Sequence, residues 1–201
     1  MNVRKRLLSP WAKPLLMLLL ALPAVWLIYA AFNDFLGANP AEALTRQTGD
    51  WTLRGLCVVL AITPLREITA TPALLRFRRT LGVSTFIYAC LHMLCYAWFD
   101  QGLAFEDIWR DILKRPFIWL GFGGLLAMLP LALTSFNAAI RWLGVKRWQI
   151  LHRLVYAAAV LAVLHFFWMR AGKNDFAEVL VYAAVLAFLL AWRIWNRWKP
   201  R

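Results

Sequence analysis

The sequence has few acidic residues, few cysteines and no long polar stretch. Ten of the 201 residues are Asp or Glu and three are Cys, against 23 Lys and Arg. No polar segment approaches the ~100 residues of an ordinary soluble domain. The 201 residues also contain no GxGxxG motif, so a nicotinamide-binding domain is not expected within them. Cys57, Cys90 and Cys95 lie in or beside apolar runs, and the CxxCH motif for covalent cofactor attachment is absent.

Apolar residues are abundant instead. They make up 62% of the chain, whereas soluble domains contain about 45–50%. Several runs of about 20 apolar residues are long enough to cross a hydrocarbon core of ~30 Å. The pattern predicts an all-α membrane protein, a six-transmembrane-helix bundle that forms one domain over residues 1–201. The predicted spans are Trp11–Phe32, Trp51–Leu65, Leu81–Phe99, Pro116–Phe136, Ile150–Met169 and Phe176–Trp195.

The second predicted span is the weakest of the six. Only Gly55–Leu65 is uncharged within it, and Arg54 has to extend its side chain toward the interface.

The net charge of +13 is distributed between the spans and does not form one continuous face. It therefore indicates membrane topology and not nucleic-acid binding. Sixteen of the 23 Lys and Arg fall on the side of the two termini, and seven fall on the other side. The positive-inside rule then predicts that both termini are cytoplasmic. A cleaved signal peptide is the competing interpretation, but the apolar run at 14–32 exceeds the usual h-region of about 7–15 residues.

The chain has three histidines, and all of them fall in predicted spans. His92 is in the third span, and His152 and His165 are in the fifth. Ionisable residues inside a membrane are costly and commonly functional. Ligation of haem iron is one interpretation, because neutral imidazole is a usual axial ligand. Hydrogen bonding between helices is the other.

The predicted depth of the histidines favours ligation. His92 lies about 10 Å and His165 about 8 Å from the outer ends of their spans, at 1.5 Å per residue. Two imidazoles at one depth on different helices can bind one iron from both sides. His152 lies about 20 Å nearer the cytoplasm. The residue 13 positions before His92 is Arg79 and not a histidine, so an inner site has one histidine and no identified partner.

Other candidates are arginines and glycines. Arg76, Arg78, Arg79 and Arg153 could pair with haem propionates or with a flavin phosphate, or could be ordinary cytoplasmic charges. Gly121, Gly123 and Gly124 could allow the close approach of a haem or of a neighbouring helix.

These features resemble the ferric reductase-like transmembrane domain family, which includes ferric-chelate reductases and NADPH oxidases. Within it, the chain looks closest to small haem-binding subunits of bacterial methionine sulfoxide reductase systems. The resemblance covers nearly the whole chain and rests on LGANP at Leu36–Pro40, ITPLR at Ile62–Arg66, RRTLG at Arg78–Gly82, LH at Leu91–His92, KRP at Lys114–Pro116, LALTS at Leu131–Ser135 and WQILHRLVY at Trp148–Tyr156.

The resemblance implies an electron-transfer subunit of the bacterial inner membrane, with the substrate chemistry on a partner. It implies one or two haems b held by His92, His165 and His152, with FMN as a further cofactor. It implies a quinol or a cytosolic flavin reductase as donor. The implied acceptor is a periplasmic molybdopterin reductase that repairs methionine sulfoxide in proteins.

Two other functions fit the sequence. One is a cytochrome b-type subunit that oxidises quinol for a different partner. The other is a non-redox helical transporter or assembly factor whose histidines are structural.

Overall fold

The computed structural model describes residues 3–172 and 174–198, which form helices and turns without a β-strand. Lys173, Lys199 and Arg201, which contribute to the predicted charge asymmetry, lie outside these ranges. A 3₁₀ helix at Pro72–Phe77 precedes α4, and a π-helical segment at Tyr96–Asp100 follows it. The α-helices are α1 (Val3–Leu8), α2 (Ala12–Phe32), α3 (Pro40–Ile68), α4 (Arg78–Cys95), α5 (Phe105–Lys114), α6 (Pro116–Leu133), α7 (Asn137–Leu143), α8 (Val145–Leu151), α9 (Leu154–Ala171) and α10 (Ala177–Trp198).

Five helical segments in the described part of the chain are long and apolar enough to cross a membrane. This result confirms the predicted class of an all-α membrane protein. The segments are Ala12–Phe32, Pro72–Asp100, Pro116–Leu133, Val145–Ala171 and Ala177–Asn196.

The second predicted span, Trp51–Leu65, is not among the five. It lies within α3, a 29-residue helix whose uncharged stretch, Gly55–Leu65, is too short by itself to cross ~30 Å. The count of six spans and the cytoplasmic placement of both termini therefore stay predictions.

The chain divides into two compact units, Met1–Asp100 and Gln101–Arg201. In the first unit, α3 begins with a capped turn: the Asn39 side chain accepts a hydrogen bond from the Glu42 backbone N–H at 3.2 Å, and Pro40 is the first helical residue. Leu53, Leu56 and Leu60 recur at helical spacing on the buried face of α3.

The close packing of α3 against α4 depends on Gly55. A Cβ atom at this position would clash with Thr85 Oγ1, and Thr85 is itself buried on α4.

Tyr88 of α4 connects that helix to α2. Its hydroxyl donates to Leu20 O at 2.7 Å and accepts from the Ala24 N–H at 3.1 Å. In a regular helix, these two backbone groups pair with each other. Pro23 lies in the same turn, where a proline removes one backbone hydrogen bond and crowds the preceding turn. Tyr88 thus supports the turn of α2 that proline weakens.

In the second unit, α6 packs against α9, where Leu161 lies against Gly123 and Gly124. The turn from α9 to α10 is fixed by Arg170, whose side chain is 7% exposed. Arg170 donates to Asp175 at 2.9 Å and to Glu178 at 2.8 Å. A cation in the last turn of α9 and an acid in the first turn of α10 also suit the two helix dipoles.

Candidate functional site

His92 is held by the backbone of α3 in the first unit. Its Nδ1 lies 2.8 Å from the carbonyl oxygen of Thr45, and its ring lies against Gly49. A Cβ atom on Gly49 would come within 3.1 Å of both Nδ1 and Cε1 of the ring. The π-helical segment begins four residues after His92, and such segments are frequent at functional sites.

His165 is held by α6 in the second unit in the same way. Its Nδ1 lies 2.7 Å from the carbonyl oxygen of Phe117, and its ring lies against Gly121. A Cβ atom on Gly121 would lie 2.9 Å from Nδ1 and 3.0 Å from Cε1. Each unit therefore presents one half-buried imidazole that is fixed by a carbonyl and a glycine of the neighbouring helix.

These contacts define which ring nitrogen can bind a metal. A carbonyl oxygen only accepts hydrogen bonds, so Nδ1 of His92 and of His165 carries the proton and donates. In the neutral ring, the lone pair is then on Nε2. An Nδ1–H that donates to a backbone carbonyl is the usual outer contact of a metal-bound histidine. Both side chains therefore fit the role of axial haem ligand.

His152 has different surroundings from the other two histidines. It lies in the turn between α8 and α9, and its ring stacks on that of Trp148 at a centroid distance of 3.9 Å. Its Nε2 lies 3.1 Å from Thr134 Oγ1. The Thr134 hydroxyl has one proton and donates it to Pro130 O at 2.7 Å. The contact with Thr134 therefore engages Nε2 of His152 in this arrangement.

Arg79 and Arg153 are both exposed, and both lie far along their helices from the histidines. Arg79 is the second residue of α4, and Arg153 immediately precedes α9. They come 13 and 12 residues before His92 and His165, which is about 20 Å and 18 Å along a helix axis. Any cofactor that they bind must differ from one bound to these two imidazoles.

The donor set also limits the kind of metal site. Within residues 3–172 and 174–198, no three or more His, Cys, Asp or Glu side chains are grouped so that they could hold a metal ion. Zinc is usually bound by at least three protein side chains. A haem needs only one or two axial side chains, because the porphyrin supplies four nitrogens. Single, well-oriented histidines in the two units are therefore compatible with haem.

Sequence reasoning identified the three histidines but missed most of their surroundings. Gly121 was predicted to allow a close approach, and the group that approaches it is the ring of His165. Gly49 was not predicted, and neither were the two carbonyl groups or Thr134. The sequence contained one signal: in both units, a glycine comes four residues after the carbonyl that accepts from the histidine. This spacing can be recognised only when the helix packed against each histidine is known.

Known proteins resemble this chain over nearly its whole length. The model of the ferric reductase-like transmembrane component family matches residues 48–163. A protein-methionine-sulfoxide reductase heme-binding subunit MsrQ from Polaromonas naphthalenivorans is 63% identical over 97% of this chain and 89% of its own length. Subunits with the same name from Ralstonia nicotianae and Herminiimonas arsenicoxydans are 51% and 46% identical, over 90% and 94% of this chain and 84% and 87% of their own. No solved structure matches it.

Proposed function

Because the chain belongs to the ferric reductase-like transmembrane family and to its MsrQ heme-binding subunits, we propose that it delivers electrons through haem b to a methionine sulfoxide reductase. The observation that carries the proposal is the matched pair of imidazoles, each with Nδ1 bonded to a backbone carbonyl. Two structural histidines would not need the same tautomer and the same glycine contact. An axial ligand needs a fixed tautomer and a fixed ring orientation.

His92 and His165 are the proposed axial ligands. A bound haem would supply a one-electron iron couple, and the imidazoles of His92 and His165 would hold its iron. The protein contributes orientation through Thr45 O and Phe117 O. The apolar helices around each ring limit water access, which also tunes a haem.

The proposed electron path runs from the cytoplasmic side to the periplasm across the bacterial inner membrane. The donor is a quinol or a cytosolic flavin reductase, and FMN is a possible carrier on the inner side. The acceptor is an MsrP-like periplasmic molybdopterin reductase, which carries out the repair of methionine sulfoxide. The cytoplasmic face is predicted to be the more basic one, and such a surface attracts anionic donors in a salt-dependent manner.

A second site toward the cytoplasmic side would involve His152, Arg79 and Arg153. The two arginines could pair with propionates or with a flavin phosphate, because their guanidinium groups are exposed. His152 would have to release Thr134 before its Nε2 could bind iron.

The decisive experiment is an absorption spectrum of the purified protein with haem quantitation. We expect a low-spin haem b spectrum that is lost in His92→Ala and in His165→Ala. Cys90→Ala is a matched control, because Cys90 is an exposed residue on the same helix as His92. A wild-type spectrum and haem content in both histidine variants would contradict the ligand assignment, and a haem-free wild-type protein would contradict the function.

The donor is tested by reduction of the same preparation. NADPH alone should leave the haem oxidised, because no nicotinamide-binding motif occurs in the sequence. Addition of a flavin reductase or a quinol should reduce it, and the periplasmic partner with methionine sulfoxide should reoxidise it. Rapid reduction by NADPH without a flavoprotein would contradict this division of labour.

A further inference from the structure

The two units contain the same three-part arrangement around a histidine. In the first unit, the parts are Thr45 O, Gly49 and His92. In the second unit, they are Phe117 O, Gly121 and His165. In both, the glycine comes four residues after the carbonyl, and the histidine comes 47 or 48 residues after it.

The four-residue spacing has a physical reason. In an α-helix, the carbonyl of residue n points toward residue n+4, whose N–H it accepts. The side chain of residue n+4 therefore stands next to that carbonyl and limits access to it. Glycine at n+4 leaves the carbonyl open, so it can accept a second hydrogen bond from the imidazole.

We propose that Gly49 and Gly121 are positioning residues that select the Nδ1–H tautomer of His92 and His165 and so set the strength of both as haem ligands. The proposal rests on the proposed function, since it assumes that these histidines bind haem. It goes beyond that function because it assigns a role to two glycines that act through the rings of His92 and His165.

The effect of adding one methyl group follows from the distances. At Gly121, the new Cβ would lie 2.9 Å from His165 Nδ1. Cβ atoms in proteins essentially never make a contact this short. At Gly49, it would lie 3.1 Å from His92 Nδ1, which is tight but less severe. The ring must shift in either case, and we expect the shift to weaken its hydrogen bond to the carbonyl. A weaker Nδ1–H···O bond makes the imidazole less basic, so it stabilises ferric iron less well.

Gly121→Ala should have the larger effect, because its Cβ would lie closer to the ring nitrogen than a Cβ on Gly49 would.

The test compares Gly49→Ala and Gly121→Ala with two control glycines. A Cβ on Gly82 of α4 would meet nothing within 4 Å, and one on Gly123 of α6 would make only an ordinary contact of 3.6 Å with Leu161. Alanine favours helix more than glycine does, so reduced helix propensity cannot explain a loss of haem or of stability in these variants. A further control, Gly55→Ala, creates a clash of α3 with Thr85 that does not involve a histidine.

The readouts are haem content, the low-spin absorption spectrum and the reduction potential of purified protein. We expect Gly121→Ala to lower haem affinity by about tenfold or more, the low end of the range for a lost outer-shell contact of a metal ligand. The remaining haem should have a more positive potential. Gly82→Ala and Gly123→Ala should match the wild type, and Gly55→Ala should lower thermal stability and leave the His165 site in the second unit unchanged.

The outcomes separate this inference from the proposed function. If His92→Ala and His165→Ala keep a wild-type haem, the ligand assignment itself fails. If those variants lose haem while Gly49→Ala and Gly121→Ala match the control glycines, only this inference is overturned. It is also overturned if both glycine variants lose their monodisperse fold while both controls keep it, because the contacts would then serve helix packing and not ligation.

Discussion

Thr134 and His152 form a side-chain pair in which Oγ1 lies 3.1 Å from Nε2. Trp148 completes the group, because its indole N–H donates to Thr134 O at 3.0 Å and its ring stacks on the imidazole. This group connects the end of α6 with the turn between α8 and α9. His152 thus has a structural role whether or not it also binds a cofactor.

We expect Thr134→Val to destabilise the protein by about 1 kcal/mol, because the side chain keeps its shape but loses its hydroxyl. The haem proposed for His92 and His165 should be unaffected. Thermal unfolding in detergent and the haem spectrum measure the two effects. Ser135→Ala is the matched control, since the Ser135 hydroxyl donates to Leu131 O of its own helix. Equal destabilisation by both variants would argue against a specific role of the pair.

His152→Ala should leave that low-spin haem in place. His152 lies in the turn before α9, 13 residues before His165, and the Thr134 contact engages its Nε2. A loss of one haem of two would establish the inner site, and an unchanged haem content would show that His152 binds none. Loss of all haem would contradict the distinction made here between His152 and the other two histidines.

Tyr88→Phe should cost about 1–3 kcal/mol of stability, because a part-buried backbone donor and acceptor each lose the hydroxyl as a partner in apolar surroundings. The ring remains, so little packing is lost. Thermal unfolding in detergent is the measurement. Tyr156→Phe is the control, since its ring still faces the Arg193 guanidinium at 5.6 Å. Equal stability of the two variants would show that the Tyr88 hydroxyl does not support α2.

Arg170→Lys should destabilise the turn between α9 and α10 by about 1–2 kcal/mol. A lysine cannot hold two carboxylates with separate nitrogens as the guanidinium does. The estimate is modest because the two carboxylates are half exposed, so solvent screens the pairs. Asp175→Asn and Glu178→Gln should each destabilise the protein less than Arg170→Lys does, since each removes only one ion pair. Thermal unfolding of all three variants provides the comparison, and the reverse order would contradict it.

A reporter fused to the C-terminus should be cytoplasmic if α3 crosses the membrane. Six spans place the two termini on one side, as the charge asymmetry predicts, whereas the five segments identified by length and composition place them on opposite sides. A second fusion in the turn after α3, at Thr71, shows whether α3 itself crosses the membrane. A periplasmic C-terminal fusion would contradict the six-span prediction.

The sequence predicted the helical class well because long apolar runs are local features. Five of the six predicted spans lie within or nearly coincide with identified segments, and the fourth begins at Pro116 as predicted. The break before α9 was missed, since His152 and Arg153 keep near-helical torsions and neither glycine nor proline marks the turn. The role of Gly49 was missed because it depends on the register between α3 and α4, which no local pattern encodes.

The contact between Tyr88 and α2 has a consequence for biosynthesis. Ala24 leaves the ribosome 64 residues before the tyrosine whose hydroxyl it contacts. During that interval, the turn at Pro23 lacks the hydroxyl, and Leu20 O and Ala24 N–H can pair only as in a regular helix. We therefore expect the first apolar helix to reach its final contacts only after α4 has been translated. Completion of the N-terminal half thus depends on the helix that carries His92.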